Sequence, residues 1–235
     1  MTALGVPGVA PAETGDKIHV GQFSSATPGE DLPEGWEPLL FKKIETHTRY
    51  TVVEADGAVV LKAESTSAAS GLIRKIRIDP VENPVVTWRW KVMNVLQKGD
   101  VTKKEGDDYP ARLYITFEYD PSRLSFVDRT KYKAARLLYG EYPPTGAINY
   151  IWESHAPIET ITPNPFIDRA MMIVVESGEE KLNQWIEEKR NILEDYRKAF
   201  GSDPPAISGV AIMTDTDNTG ESAVAYFGDI VFEKF

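Results

Sequence analysis

The stretch Val85-Val86-Thr87-Trp88-Arg89-Trp90-Lys91-Val92 alternates without a break. In an extended chain Val86, Trp88, Trp90 and Val92 fall on one face, and Thr87, Arg89 and Lys91 fall on the other. A period of two marks a β-strand with one packed face and one polar or ligand-facing face. The pattern recurs over residues 112–119, where Leu113, Ile115 and Phe117 oppose Tyr114, Thr116 and Glu118. Runs of β-branched and aromatic residues predict further strands over 19–24, 41–45, 48–54, 58–65, 71–78, 147–153, 170–176, 206–214 and 222–233. Ala55-Asp56-Gly57-Ala58 predicts a tight hairpin, because Asp-Gly tolerates positive φ.

Two segments carry helical spacing instead. Residues 129–139 place Tyr132, Ala135, Arg136 and Tyr139 on one side. Residues 182–200 do the same with Trp185, Ile186, Ile192, Leu193, Tyr196 and Phe200. Asn183 is the expected N-cap, Glu187 and Glu188 make an acidic first turn, and Gly201 is the expected stop. Two helices inserted among about ten strands predict a mostly β fold, a β-sandwich and not a βαβ sheet. The expected organisation is a flexible arm over 1–16, rich in Gly and Pro, followed by one domain over 17–235.

Composition narrows the function. The chain has 235 residues, 36 acidic and 26 basic, for a net charge of −10. Such a surface repels a phosphate backbone, so no nucleic-acid partner is expected, whereas a cation or a neutral ligand is compatible. There are no cysteines, which excludes disulfides, thiolate metal sites and cysteine nucleophiles. No apolar run reaches the length of a membrane-spanning helix, so no membrane insertion is expected. The first residues lack the basic region of an export signal, which leaves a cytosolic start or a chain trimmed of its signal.

Three segments could carry chemistry. In the loop before residue 112, Asp107 and Asp108 stand beside Tyr109 and Arg112, a set that could grip a polar ligand or a cation, or simply cap the loop. In Asp215-Thr216-Asp217-Asn218-Thr219-Gly220, oxygen-bearing side chains alternate as at the start of an EF-hand loop. The match fails afterwards, since Tyr226 stands at the twelfth position and strands flank the loop. Trp90 and Trp152 would suit stacking against sugar rings if their faces were open, and would be core if they were not. Glu153 and His155 are the remaining acid–base candidates. No Gly-x-Ser-x-Gly, Gly-x-Gly-x-x-Gly or phosphate-binding loop is present.

Several stretches together resemble one family. They are Gly35-Trp36-Glu37-Pro38, Ser67-Ala68-Ala69-Ser70-Gly71-Leu72, Trp88-Arg89-Trp90-Lys91-Val92 and residues 106–112. Asn149-Tyr150-Ile151-Trp152, Arg190-Asn191 with Asp195-Tyr196, and residues 212–219 through Gly228-Asp229-Ile230 complete the set. The chain resembles the bacterial domain-of-unknown-function family 3047, whose members are mostly predicted to be exported. The resemblance therefore implies a periplasmic or otherwise exported location. The two ends of the chain also look like those of carbohydrate-binding modules with a galactose-binding-like jelly roll. That likeness implies a structural calcium, with Asp229 as a metal ligand.

The leading expectation is thus a non-catalytic envelope protein that binds a carbohydrate or similar polar ligand. Its ligand face would be lined by Trp90, Asp107, Asp108, Arg112, Trp152, Glu153, Asp215, Asp217 and Asn218. The alternatives are a structural or protein-binding envelope protein, and a polysaccharide hydrolase using two carboxyls from Asp107, Asp108, Glu153 and Asp217.

Overall fold

A computed structural model describes residues 17–29, 32–123, 129–130 and 144–235. The arm expected over 1–16 lies outside them, as does the helix expected over 129–139 beyond Arg129 and Thr130. The described chain is mostly β, built from two sheets packed as a sandwich.

The strands in chain order are β1 (Lys17–Gly21), β2 (Glu37–Leu39), β3 (Arg49–Ala55), β4 (Ala58–Thr66), β5 (Ala69–Ile78), β6 (Val85–Val92) and β7 (Ala111–Phe117). Then follow β8 (Gly146–Glu153), β9 (Ile161–Pro163), β10 (Ala170–Ser177), β11 (Ile186–Asn191), β12 (Ile207–Asp215) and β13 (Ser222–Glu233). The first sheet runs β11-β6-β13-β4-β3, with β1 also on β13. The second runs β2-β5-β12-β7-β8-β10-β9. All pairs are antiparallel except β8 with β10. The β3–β4 hairpin turns at Asp56 and Gly57, at φ 51° and 76°, the paired positive φ of a type I′ turn.

The core is where the alternation of β6 places it. Val86, Trp88, Trp90 and Val92 point between the sheets and are almost wholly buried. They meet Tyr150 and Trp152 of β8. Trp88 stacks on Tyr150 with centroids 5.2 Å apart, and Trp90 meets Trp152 edge-on at 6.3 Å. Such offset and edge contacts are the favoured geometries of buried rings.

Three expectations need correction. The strand expected over 19–24 runs Lys17–Gly21, and Phe23–Ser25 form a 3-10 turn instead. Residues 41–45 are not a strand, and the pairing falls earlier, at β2. The helix expected over 182–200 starts only at residue 192. Ile186, Glu188 and Arg190 alternate with more exposed Glu187 and Lys189 as β11, paired along the edge of β6. Tertiary pairing overrides the helical spacing there. Helix α1 spans Ile192–Phe200, and Asn191, not Asn183, caps it by accepting from the Glu194 N–H. Gly201 stops it in the left-handed region at φ 71°. Tyr196 packs on Phe117 at 4.6 Å, and Arg190 donates twice to Asp195, which also accepts from the Tyr150 hydroxyl. The Arg190-Asn191 and Asp195-Tyr196 motif therefore fastens the helix to the sandwich.

The switch to a strand turns Glu188 inward. Burial first, then the neighbouring Glu176, push its carboxyl up to about 7, against the pull of Trp90, Lys181 and Arg190. A group whose pKa is raised on folding contributes stability below its unfolded value, and that contribution is lost as pH rises through the folded value. The parent is thus expected to lose melting temperature relative to Glu188→Gln between pH 4.5 and 7. Parallel pH series that show a constant difference would refute this.

Candidate functional site

The second sheet turns one face to the core and the other outward. Along β7, Leu113 and Ile115 face the core, so Arg112 and Tyr114 face out. Along β8, Ile148, Tyr150 and Trp152 face the core, so Asn149, Ile151 and Glu153 face out. Register brings these outward residues side by side. Tyr114 pairs with Asn149 on β8 and with Ala211 on β12, and Arg112 pairs with Ile151 and Met213. The outward face is itself largely covered: Val101 and Tyr109, from the loop between β6 and β7, pack on Ile151, Met172 and Val174 as a second hydrophobic cluster.

The two acidic loops meet at one end of this face. β12 runs antiparallel to β7, so the end of β12 at Asp215 lies beside the start of β7. Arg112, 2% exposed, holds the junction. Its Nε donates to Asp215 Oδ1 at 2.7 Å, and Nη2 donates to Asp215 Oδ2 and to the Asp107 carbonyl at 2.6 Å. Nη1 donates to the Tyr114 hydroxyl at 3.1 Å and lies 3.6 Å from Asp107 Oδ1. The guanidinium also sits 4.3 Å from the Tyr109 ring centre, a cation–π contact.

The loops are then locked by amides. Asp107 accepts twice from Asn164 Nδ2, at 2.8 and 2.9 Å. Asp108 accepts from Asn218 Nδ2 at 3.1 Å and from the Thr219 N–H at 2.6 Å. Asp107, Asp108, Arg112, Asp215, Asp217 and Asn218 therefore form one cluster, drawn from segments more than a hundred positions apart.

Electrostatics in the cluster follow from burial. Burial disfavours the charge on Arg112, but Asp215, Tyr114 and Asp107 outweigh it and raise the guanidinium above its ordinary value. Burial likewise pushes Asp215 upward while Arg112 pulls it back. Both Asp215 oxygens accept from the guanidinium, which is the geometry of a carboxylate. Burial, then Asp108, raise the Asp217 carboxyl. The Tyr114 hydroxyl is pushed up to about 12 by burial and stays neutral. Oxygens of Asp108, Asp215 and Asp217 lie within 4.8 Å of one another, hard donors of the kind that suit calcium.

Four expected residues stand elsewhere. Trp90 and Trp152 are core and offer no ring face to a ligand, because β6 and β8 turn them between the sheets. The Glu153 carboxylate accepts from the backbone N–H groups of Val101, His155 and Ala156. It clamps two loops, while His155 beside it is exposed with its Nε2 3.2 Å from the Gln97 carbonyl. Asp229 accepts from the Ser24 N–H at 2.9 Å and from its hydroxyl, so it pins the 3-10 turn Phe23–Ser25 and stands apart from the three clustered carboxyls.

The sequence reading missed Asn149. It is 0% exposed in mid-strand, and among the described residues neither its amide oxygen nor its nitrogen has a hydrogen-bond partner. Asparagine is depleted within strands, and that was the available signal in Asn149-Tyr150-Ile151-Trp152.

A family model described as a protein of unknown function (DUF3047) matches residues 34–231. No curated protein matches the chain. Among solved structures, the chain is similar to a CBM28 carbohydrate-binding module specific for non-crystalline cellulose. That similarity has 15% identity and a TM-score of 0.37, over 97% of each chain. It is also similar to a loop-swap mutant of Necallimastix patriciarum Xyn11A, at 9% identity and a TM-score of 0.34, over 92% of this chain and 95% of the other.

Proposed function

The chain belongs to the DUF3047 family of proteins of unknown function, and from that premise we propose that it is a non-catalytic binding protein for a polyhydroxylated, carbohydrate-like ligand, working in the bacterial envelope. The ligand lies beneath the cover of the outward face of the second sheet, against Asn149 and Tyr114, with the Asp107–Asp108 and Asp215–Asn218 loops at its end. A calcium-class cation would enter beside Asp108 and Asp217, the clustered carboxyls that Arg112 does not bond.

The observation that carries this reading is the Asn149 amide. A buried amide without partners costs about 1–3 kcal/mol of desolvation, and native proteins rarely tolerate that without a reason. A sugar hydroxyl both donates and accepts, so it satisfies the amide oxygen or nitrogen equally. Tyr114, directly across the strand pair, carries a neutral hydroxyl on the same face.

The test is Asn149→Leu, of similar volume and without polar atoms. The variant is expected to melt at or above the parent, since the desolvation cost is gone. It should lose at least tenfold in affinity for whichever neutral oligosaccharide, from a cello-, xylo-, manno- and chito-oligosaccharide panel, raises the parent's melting temperature. Panel-wide silence from the parent overturns the proposal. So does a destabilised variant with unchanged affinity, the result expected if an internal water serves the amide.

A further inference from the structure

A cavity lies where β1 and the Phe23–Ser25 turn of the first sheet meet β2 and β5 of the second. It measures about 670 Å³, within the range of small-molecule sites, and Gln22, Ser25, Leu32, Glu34, Trp36 and Arg74 contribute to its walls. Trp36 is 6% exposed and packs on Phe23 at 5.3 Å, so that wall is rigid.

Arg74 is half committed. Its Nη1 donates to the carbonyls of Val20 at 2.7 Å and His19 at 3.3 Å, which ties β5 to β1 across the open edge of the sandwich. Among the described residues its Nε and Nη2 have no hydrogen-bond partner, and no carboxylate lies within salt-bridge distance. Those two N–H groups are the parallel fork that a carboxylate matches. Gly35 faces them at φ 78°. A Cβ there would lie in ordinary contact with Arg74, 3.5 Å from Nε and 3.8 Å from Cζ, and the left-handed φ is what favours glycine. Among the described residues, the one acidic side chain lining the cavity, Glu34, is exposed and makes no ion pair with Arg74.

We propose that this cavity binds a small carboxylate-bearing molecule, with its carboxylate on the Nε–Nη2 fork of Arg74 and its neutral body against Trp36. The site is separate from the outward face of the second sheet, and neither reading needs the other. Electrostatics set the expected order of ligands: a monocarboxylate binds, and its neutral analogue does not.

The experiment follows the indole N–H resonance of Trp36, identified by its loss in Trp36→Phe, during titration with sodium D-glucuronate, sodium D-lactate and D-glucose. Saturable movement is expected with at least one of the two carboxylates and none with glucose. Arg74→Gln should weaken binding at least tenfold. That variant also loses a tie between the sheets, so Glu34→Gln, an exposed and conservative change, provides the second reading. It should tighten binding severalfold by removing a like charge. The response should persist in Asn149→Leu. No saturation by either carboxylate, an equal response to glucose, or weaker binding in Glu34→Gln overturns the proposal.

Discussion

Arg112→Met is expected to cost about 3–5 kcal/mol of folding stability, as breaking a buried ion pair from one side usually does. For a chain of this size that is a fall of very roughly 10 °C in melting temperature, taking about 2–4 °C per kcal/mol. Methionine replaces most of the buried stem, so lost packing is a minor part. The larger part is what stays behind. Asp215, 1% exposed, keeps its burial and loses the guanidinium that both its oxygens bond. The Tyr114 hydroxyl and the Asp107 carbonyl lose partners at the same moment.

Because the stranded carboxyl can escape its cost by taking up a proton, the deficit should shrink as pH falls. The double variant Arg112→Met, Asp215→Leu should recover part of the loss, since removing both partners is far cheaper than removing one. Urea unfolding of the parent, Arg112→Met and the double variant at neutral and mildly acidic pH checks this. A single-variant loss below about 1 kcal/mol would mean that the cluster is open to water, contrary to its burial.

Trp90→Ala is expected to cost about 3–5 kcal/mol as well, for a different reason. The ring is 0% exposed and touches Trp88 at 5.4 Å and Trp152 at 6.3 Å. Its removal leaves a cavity between two sheets whose strands are fixed by their ladders, so little of it can collapse. Affinity for any ligand of the outward face should be unchanged where the variant is folded. Chemical unfolding together with titration of the same sample separates the two effects. A selective loss of affinity at unchanged stability would restore the ring-stacking role that its burial denies.

How much of this was legible in the sequence depends on the range of the interaction that decides each feature. Alternation in residues 85–92 and 112–119 is local, and it located two central strands and the faces they bury. The Asp56-Gly57 turn is local too. The segment 182–200 failed because its apolar positions fit either a helix or an edge strand followed by a helix. Only the ladder to β6 chooses between these. The useful signal was Asn191 with Glu194 three positions on, the spacing at which an Asn side chain meets the N–H it caps.

The site shows the same division. Asp107, Asp108 and the 215–218 loop were visible as polar, turn-forming segments. Their union around Arg112 depends on β12 pairing with β7, a contact between residues about a hundred positions apart. Trp90 and Trp152 show the limit from the other side. Periodicity put them on one face of their strands, and only the position of the second sheet decides whether that face is open or closed.

The place of β13 in the first sheet bears on folding. Its one edge takes all of β6, and its other edge takes β4 and then β1. Every strand of that sheet except the outer β3 and β11 waits for residues 222–233, and the centre of the second sheet waits for residues 207–215. Both segments follow the other described strands in chain order. Until they pair, the edges of β6 and β4 that β13 takes, and the edges of β5 and β7 that β12 takes, stay open, the condition in which unfinished β proteins aggregate. Both sheets are thus closed at their centres by strands late in the sequence, which makes their completion a matter of long-range pairing.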